Sequence, residues 1–147
     1  MATNYRKCTI CGTSLTTSSA ASQTLCNSCR SERHIKRSSS TVYRFLNYKL
    51  QVAKDRAKRQ KTEFEINVDD LYDLYEEQGG NCAISRLPML HLTGDQELSL
   101  SIDRKDNRFG YLKNNVQLVC TRINNMKSNL NQEDFIWWCK AVANGAD

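Results

Sequence analysis

Residues 98–130, LSLSIDRKDNRFGYLKNNVQLVCTRINNMKSNL, leave the chain few folds to choose from. Leu98, Leu100 and Ile102 alternate with polar residues, and Val116, Leu118 and Cys120 do the same. A period of two marks a strand with one face buried. A helix is expected from about Thr121 to Leu130. Strand, loop, strand and helix thus follow one another in a short space. Asp103 closes the first strand, Asn115 opens the second, and Asn124 sits on the helix. That layout brings a carboxylate and a carboxamide oxygen within reach of one hard cation. Magnesium and similar ions take oxygen ligands of this kind.

The N-terminal segment makes a second strong demand. Cys8 and Cys11 form one Cys-x-x-Cys pair and Cys26 and Cys29 another, with fourteen residues between them. Each pair is a chelating turn, and four thiolates at this spacing suit a closed tetrahedral zinc site. The Ser/Thr-rich link between the pairs carries too little apolar surface to fold unaided. A structural zinc there would contribute on the order of 10 kcal/mol to folding. Seven cysteines without a secretory leader fit a reducing compartment and metal binding better than disulfides. No apolar run approaches the roughly 20 residues of a membrane span. A cytoplasmic location without membrane attachment is the expectation.

Between these regions the chain is basic and helical. Thr41 can cap a helix running to about Gln60, with Val42, Phe45, Leu46, Leu50, Ala53 and Ala57 at helical spacing. Arg44, Lys49, Lys54, Arg56, Lys58, Arg59 and Lys61 occupy its other face or its end. The formal net charge is +5, and a local basic stripe favours polyanions, above all nucleic acid. Asn67 precedes a second helix, VDDLYDLYEEQ, which Gly79–Gly80 ends. A polar loop surrounds Thr93, Gly94 and Asp95. The last helix is expected from about Gln132 to Ala143, with Asn131 as its cap and Phe135, Trp138, Cys139 and Val142 turned inward.

The runs CAISRLPM, SIDRKDNRFGY and NNVQLVCTRINNMKSNL together resemble the HNH nucleases, with their ββα-metal fold. They are most similar to the branch found in phage HNH proteins and small rare-cutting restriction enzymes, which often add an N-terminal zinc knuckle. The resemblance covers about residues 80–131 and, through the knuckle, 5–33. It implies an α+β fold: a ββα-metal core with a four-cysteine zinc knuckle and flanking helices. The implied segments are the knuckle at 1–37, a basic helical DNA-binding region at 38–78, and the nuclease core with its C-terminal helix at 79–147.

The same resemblance implies roles. Asp103 and Asn124 match the family's ligands for a catalytic Mg2+ or Mn2+. Asn115 matches the asparagine that pins the loop by backbone hydrogen bonds. Arg104 stands where the family usually has a histidine general base. An arginine stays charged and cannot accept a proton, so its expected part is to clamp phosphate. The base must come from elsewhere: His91 and His34 are the only histidines, with His91 favoured for its place in the loop before the first strand, and Tyr72, Tyr75, Tyr111 and a metal-bound hydroxide are the alternatives. Lys127 is expected to touch phosphate. Many relatives carry a second zinc at positions corresponding to Cys82, Ser85, Cys120 and Ile123. Isoleucine cannot ligate metal, so an apolar cluster of Cys82, Ile84, Cys120, Ile123 and Met126 is expected in its place.

These readings point to a metal-dependent endonuclease on double-stranded DNA, as a possible homodimer. A DNA-binding zinc module without catalysis is one alternative. A structure-specific or RNA-directed nuclease is another.

Overall fold

The computed structural model describes residues 6–15, 24–92 and 95–146. The Ser/Thr-rich link at 16–23 and the loop positions Thr93 and Gly94 lie outside them. The chain divides into two units, Met1–Ser40 and Thr41–Asp147.

In the first unit, Lys7 and Ser14 form an antiparallel bridge around the first cysteine pair. Helix α1 (Asn27–Ser38) follows the second pair. Cys26 is its N-cap, in extended conformation, and its sulfur accepts from the Cys29 backbone N–H. Among the described residues of this unit, the buried apolar ones are Cys8, Leu15, Leu25 and Cys29. Two leucines are too little for a core of its own, a shortfall that a metal held by the four thiols would make good.

The second unit begins with α2 (Thr41–Gln60). Val42, Leu46, Leu50, Ala53 and Ala57 recur at three- and four-residue steps and are buried. Lys61, at φ 53°, turns the chain out of the helix. Next comes α3 (Val68–Glu77), opened by a capping box in which Asn67 and Asp70 each take the other's backbone N–H. It stops before Gly79 and Gly80, both at positive φ. Strands β1 (Leu100–Arg104) and β2 (Val116–Cys120) pair antiparallel, with Asp103 opposite Gln117 and Ile102 opposite Leu118. Helix α4 (Thr121–Lys127) leaves β2 directly, and α5 (Gln132–Asn144) is capped by Asn131.

Alternation led us to expect β2 half-buried, yet all five of its residues are buried. Both α3 and α4 pack against β2, so it has no solvent face. Among the described residues β2 pairs with no strand but β1, and its other edge is met by the Ala83 backbone N–H, which donates to Leu118 O at 2.9 Å, and by the Gln78 side chain. The Gln78 carboxamide donates to Leu118 O at 2.9 Å and accepts from Leu118 N at 3.1 Å, as a neighbouring strand would. Gly110 lets residues 63–65 run alongside the inter-strand loop, where Tyr111 N donates to Glu63 O at 2.8 Å. A Cβ at position 110 would lie 2.2 Å from that same oxygen.

Two expectations need correction. The helix after β2 ends at Lys127 and not near Leu130, because Ser128 at φ 50° reverses the chain. In α5 only Phe135 is buried, whereas Trp138, Cys139 and Val142 are exposed. The helical spacing there is real, but within the second unit no other element covers that face. The Trp137 and Trp138 rings instead meet each other edge-on at 4.8 Å.

Candidate active site

Asp103 lies at the centre of the ββα unit and is 4% exposed. Its Oδ2 accepts from Gln117 Nε2 at 2.9 Å, across the strand pair. Its Oδ1 accepts from Lys127 Nζ at 3.1 Å. Each carboxylate oxygen has a further lone pair, so a fixed Asp103 can still serve another ligand.

Asn115 holds the loop between the strands. Its amide donates to Asp106 O and to Gly110 O, both at 2.9 Å, and its Oδ1 accepts from Asp106 N at 3.1 Å. Three backbone groups of the inter-strand loop are thereby tied to one side chain at the mouth of β2. Asp106 forks onto Arg108, which holds its carboxyl below the usual range.

Asn124 lies on α4 and donates Nδ2–H to Ser101 Oγ at 2.8 Å. Ser101 and Asp103 are two apart on β1 and so share a face of the strand. With its NH2 engaged, Asn124 has its amide oxygen available. Arg104 donates to Phe109 O at 3.2 Å, and its guanidinium carbon lies 5.1 Å from the centre of the Tyr111 ring.

These groups converge on one cleft of about 460 Å³, lined among others by Arg56, Gln60, Asp103, Arg104, Tyr111 and Asn124. The donor set of one carboxylate and one amide oxygen suits a hard divalent ion. Asn125 is exposed and also borders the cleft.

The first unit carries the thiolate cluster. The sulfurs of Cys8, Cys11, Cys26 and Cys29 all lie within 4.8 Å of one another, and Cys11 and Cys26 approach to 3.6 Å. A tetrahedral zinc with four thiolates needs sulfurs about 3.8 Å apart, so the residues fit. Backbone hydrogen bonds, first from Cys11 and then from Cys26, hold Cys8 down to about 6. Cys29 is pushed well up by sharing its proton with Cys11 and Cys26.

No protein-family model matches the chain. A stretch of 43 residues, 29% of the chain, is 46% identical to part of the uncharacterized protein R423 of Acanthamoeba polyphaga mimivirus, and the match spans 8% of that protein's length. Among solved structures, the rare-cutting HNH restriction endonuclease PacI aligns over 95% of this chain and 94% of its own, with a TM-score of 0.50 at 18% identity. The chain has the HNH endonuclease fold.

Within that HNH fold the structure groups some of the expected residues and separates others. Asp103, Arg104 and Asn124 share the cleft, and Asn115 braces the loop beneath it. His91 does not line the cleft: its Nε2 meets Thr41 Oγ1 at 3.2 Å and its ring stands edge-on to Tyr75 at 6.4 Å. Of the tyrosines considered, Tyr111 alone borders the cleft. Lys127 was expected on phosphate but is 0% exposed, so it has no surface to offer DNA. Its role is internal to the HNH core.

On α2, Arg44, Lys54, Arg56, Lys58 and Arg59 are exposed or half-exposed, as is Lys61 just beyond it. Lys49 is half-buried, with its ammonium 5.2 Å from the Phe45 ring, and burial followed by the nearby charge of Arg56 lowers its proton affinity. Arg56 stands apart because it reaches the cleft itself. Gln60, four residues on, reaches the cleft too.

The sequence reading missed Gln117, Gln78 and Ser101. A glutamine inside an otherwise apolar strand, opposite an acid, was the available signal for Gln117. As expected, Cys82 and Cys120 cluster in the core with Ile84 and Ile123 packed against them. Met126 does not join them; it is 53% exposed.

Proposed function

We propose that this chain is a metal-dependent DNA endonuclease that hydrolyses phosphodiester bonds at specific sites. One observation carries the reading: Asp103 and Asn124 border a single cleft together with Arg56 and Arg104. The likeness to an HNH restriction endonuclease supports it. In this reading residues 1–37 form the zinc knuckle, 38–78 the basic DNA-binding region and 79–147 the nuclease core.

Asp103 and Asn124 would hold Mg2+ or Mn2+. A bound ion supplies charge neutralisation at the scissile phosphate and at the departing 3′ oxygen. Gln117 and Lys127 fix the Asp103 carboxylate, and Ser101 fixes the Asn124 amide, so both oxygens are pre-aimed. Arg104, steadied by Phe109 O and the Tyr111 ring, stays charged and offers a fork to phosphate. Arg56 gives a second contact from α2. The basic face of α2 follows the duplex backbone and makes affinity fall steeply with salt. His91 does not line the cleft, so this reading assigns it no part as the base. One cleft cuts one strand. A two-fold homodimer on a palindromic site would cut both. The DNA would be met inside the cell, where reduced thiols keep the knuckle competent for zinc.

A DNA-binding module without catalysis is the second reading, and Arg104 in the usual histidine position favours it. Supercoiled plasmid with Mg2+ or Mn2+ separates the two. Nicked or linear product, absent with EDTA and absent in Asp103→Ala, supports the nuclease. Intact plasmid under every ion, alongside a retarded gel band, supports the module.

A further inference from the structure

Lys127 is the largest fully buried side chain among the described residues. Its ammonium has two partners, Asp103 Oδ1 at 3.1 Å and Arg104 O at 2.7 Å. A buried ammonium is tolerated only when paired, and here its charged partner is the carboxylate assigned to the divalent ion. Lys127 follows Asn124 by three residues, so α4 offers one face to both the cleft and the back of Asp103.

The charges around the cleft do not favour a cation. Arg56 and Arg104 border it and Lys127 stands behind it, three positive charges against the one carboxylate of Asp103, a surplus of two. The next acid, Asp106, lies within electrostatic reach of Lys127 but is already held by Arg108 at 2.6 Å. A phosphodiester brings the missing negative charge and an oxygen ligand together. Magnesium sites with one or two protein carboxylates commonly rely on substrate phosphate in this way.

We propose that Lys127 is a tethered counter-ion of Asp103, and that it makes divalent-ion binding in this cleft conditional on a bound phosphodiester. Lys127 is thus a positioning residue. It holds the carboxylate in place in the free protein and keeps the cleft from loading an ion before DNA arrives. The proposal rests on the nuclease reading above.

The test is Mn2+ binding, followed through the paramagnetic resonance of the free ion. The zinc-loaded full chain is titrated alone and with a short duplex of mixed sequence, corrected for ion taken up by the duplex itself. Duplex is expected to tighten Mn2+ binding about tenfold or more. Lys127→Met removes the charge at similar length. It is expected to tighten binding to the duplex-free protein by about the same factor and to shrink the effect of duplex. Equal affinity with and without duplex overturns the proposal. So does a folded Lys127→Met protein that takes up the ion no better than the unsubstituted chain. Should that variant fail to fold, the duplex dependence of the unsubstituted chain decides. Nicking that requires Asp103, alongside tight ion binding to the free chain, removes this proposal and leaves the nuclease reading intact. No nicking, with no ion bound in either condition, removes both.

Discussion

The two units use cysteine in parallel positions to different ends. In the first, Cys26 caps α1, and its sulfur takes the N–H of Cys29 at 3.5 Å. In the second, Cys120 stands at the N-cap position of α4 without a side-chain capping bond, and Cys82 takes the N–H of Ser85 at 3.4 Å in a comparable turn. The first unit completes the pattern with four thiols. The second has Ser85 and Ile123 where two thiols would stand, and Cys82 and Cys120 are enclosed by the core. There burial, with the adjacent Cys82, raises Cys120 to about 11, a thiol that stays protonated. The contrast separates what a metal does from what packing does. A segment with two buried leucines has little else than an ion to hold it, should its four thiols bind one, whereas a ββα unit covered by α2 and α3 has a packed core.

The largest expected effect breaks the first half of the contrast. Chelating zinc, or Cys26→Ala, should remove on the order of 10 kcal/mol from the first unit and unfold it. Backbone amide spectra should lose the signals of residues 6–40 and keep those of 41–146. Loss of both sets would show that the units are not independent.

A gain should come next. Ser85→Cys with Ile123→Cys rebuilds four thiols around Cys82 and Cys120, and zinc content by mass spectrometry under native conditions should double. Unchanged content would mean that the core cannot open enough to admit an ion.

Leu118→Ala tests the packed half. Leu118 is fully buried beneath α3, and its loss should cost about 2–5 kcal/mol in urea unfolding without changing zinc content. Asn115→Ala strands three backbone groups and should cost about 1–3 kcal/mol, with faster proteolysis in the loop at 105–114. Cys120→Val, near in volume, should cost less than about 1.5 kcal/mol. A larger loss would show that the thiol is more than a small hydrophobe.

Much of this was legible in the sequence, for physical reasons. The strands, the capping box at Asn67 and the cap at Asn131 are written in local chemistry, and so are the thiolate pairs. Asp103, Asn115 and Asn124 stood out because their spacing fits a strand pair followed by a helix. Other features depend on distant partners. Lys127 reads like any surface lysine until β1 places Asp103 beneath it. His91 looked near the site along the chain, but its loop packs it against Thr41 and Tyr75. The periodicity of α5 marks a helix without saying what, if anything, lies against Trp138 and Val142.

The nuclease reading requires one divalent ion gripped jointly by Asp103 and Asn124. The direct measurement is the anomalous scattering of manganese in crystals of the full chain with duplex DNA. The account requires a single peak in the cleft within about 2.0–2.3 Å of an Asp103 carboxylate oxygen and the Asn124 amide oxygen, with a backbone phosphate beside it. A peak elsewhere on the molecule, or a DNA complex whose cleft holds no ion, would contradict it.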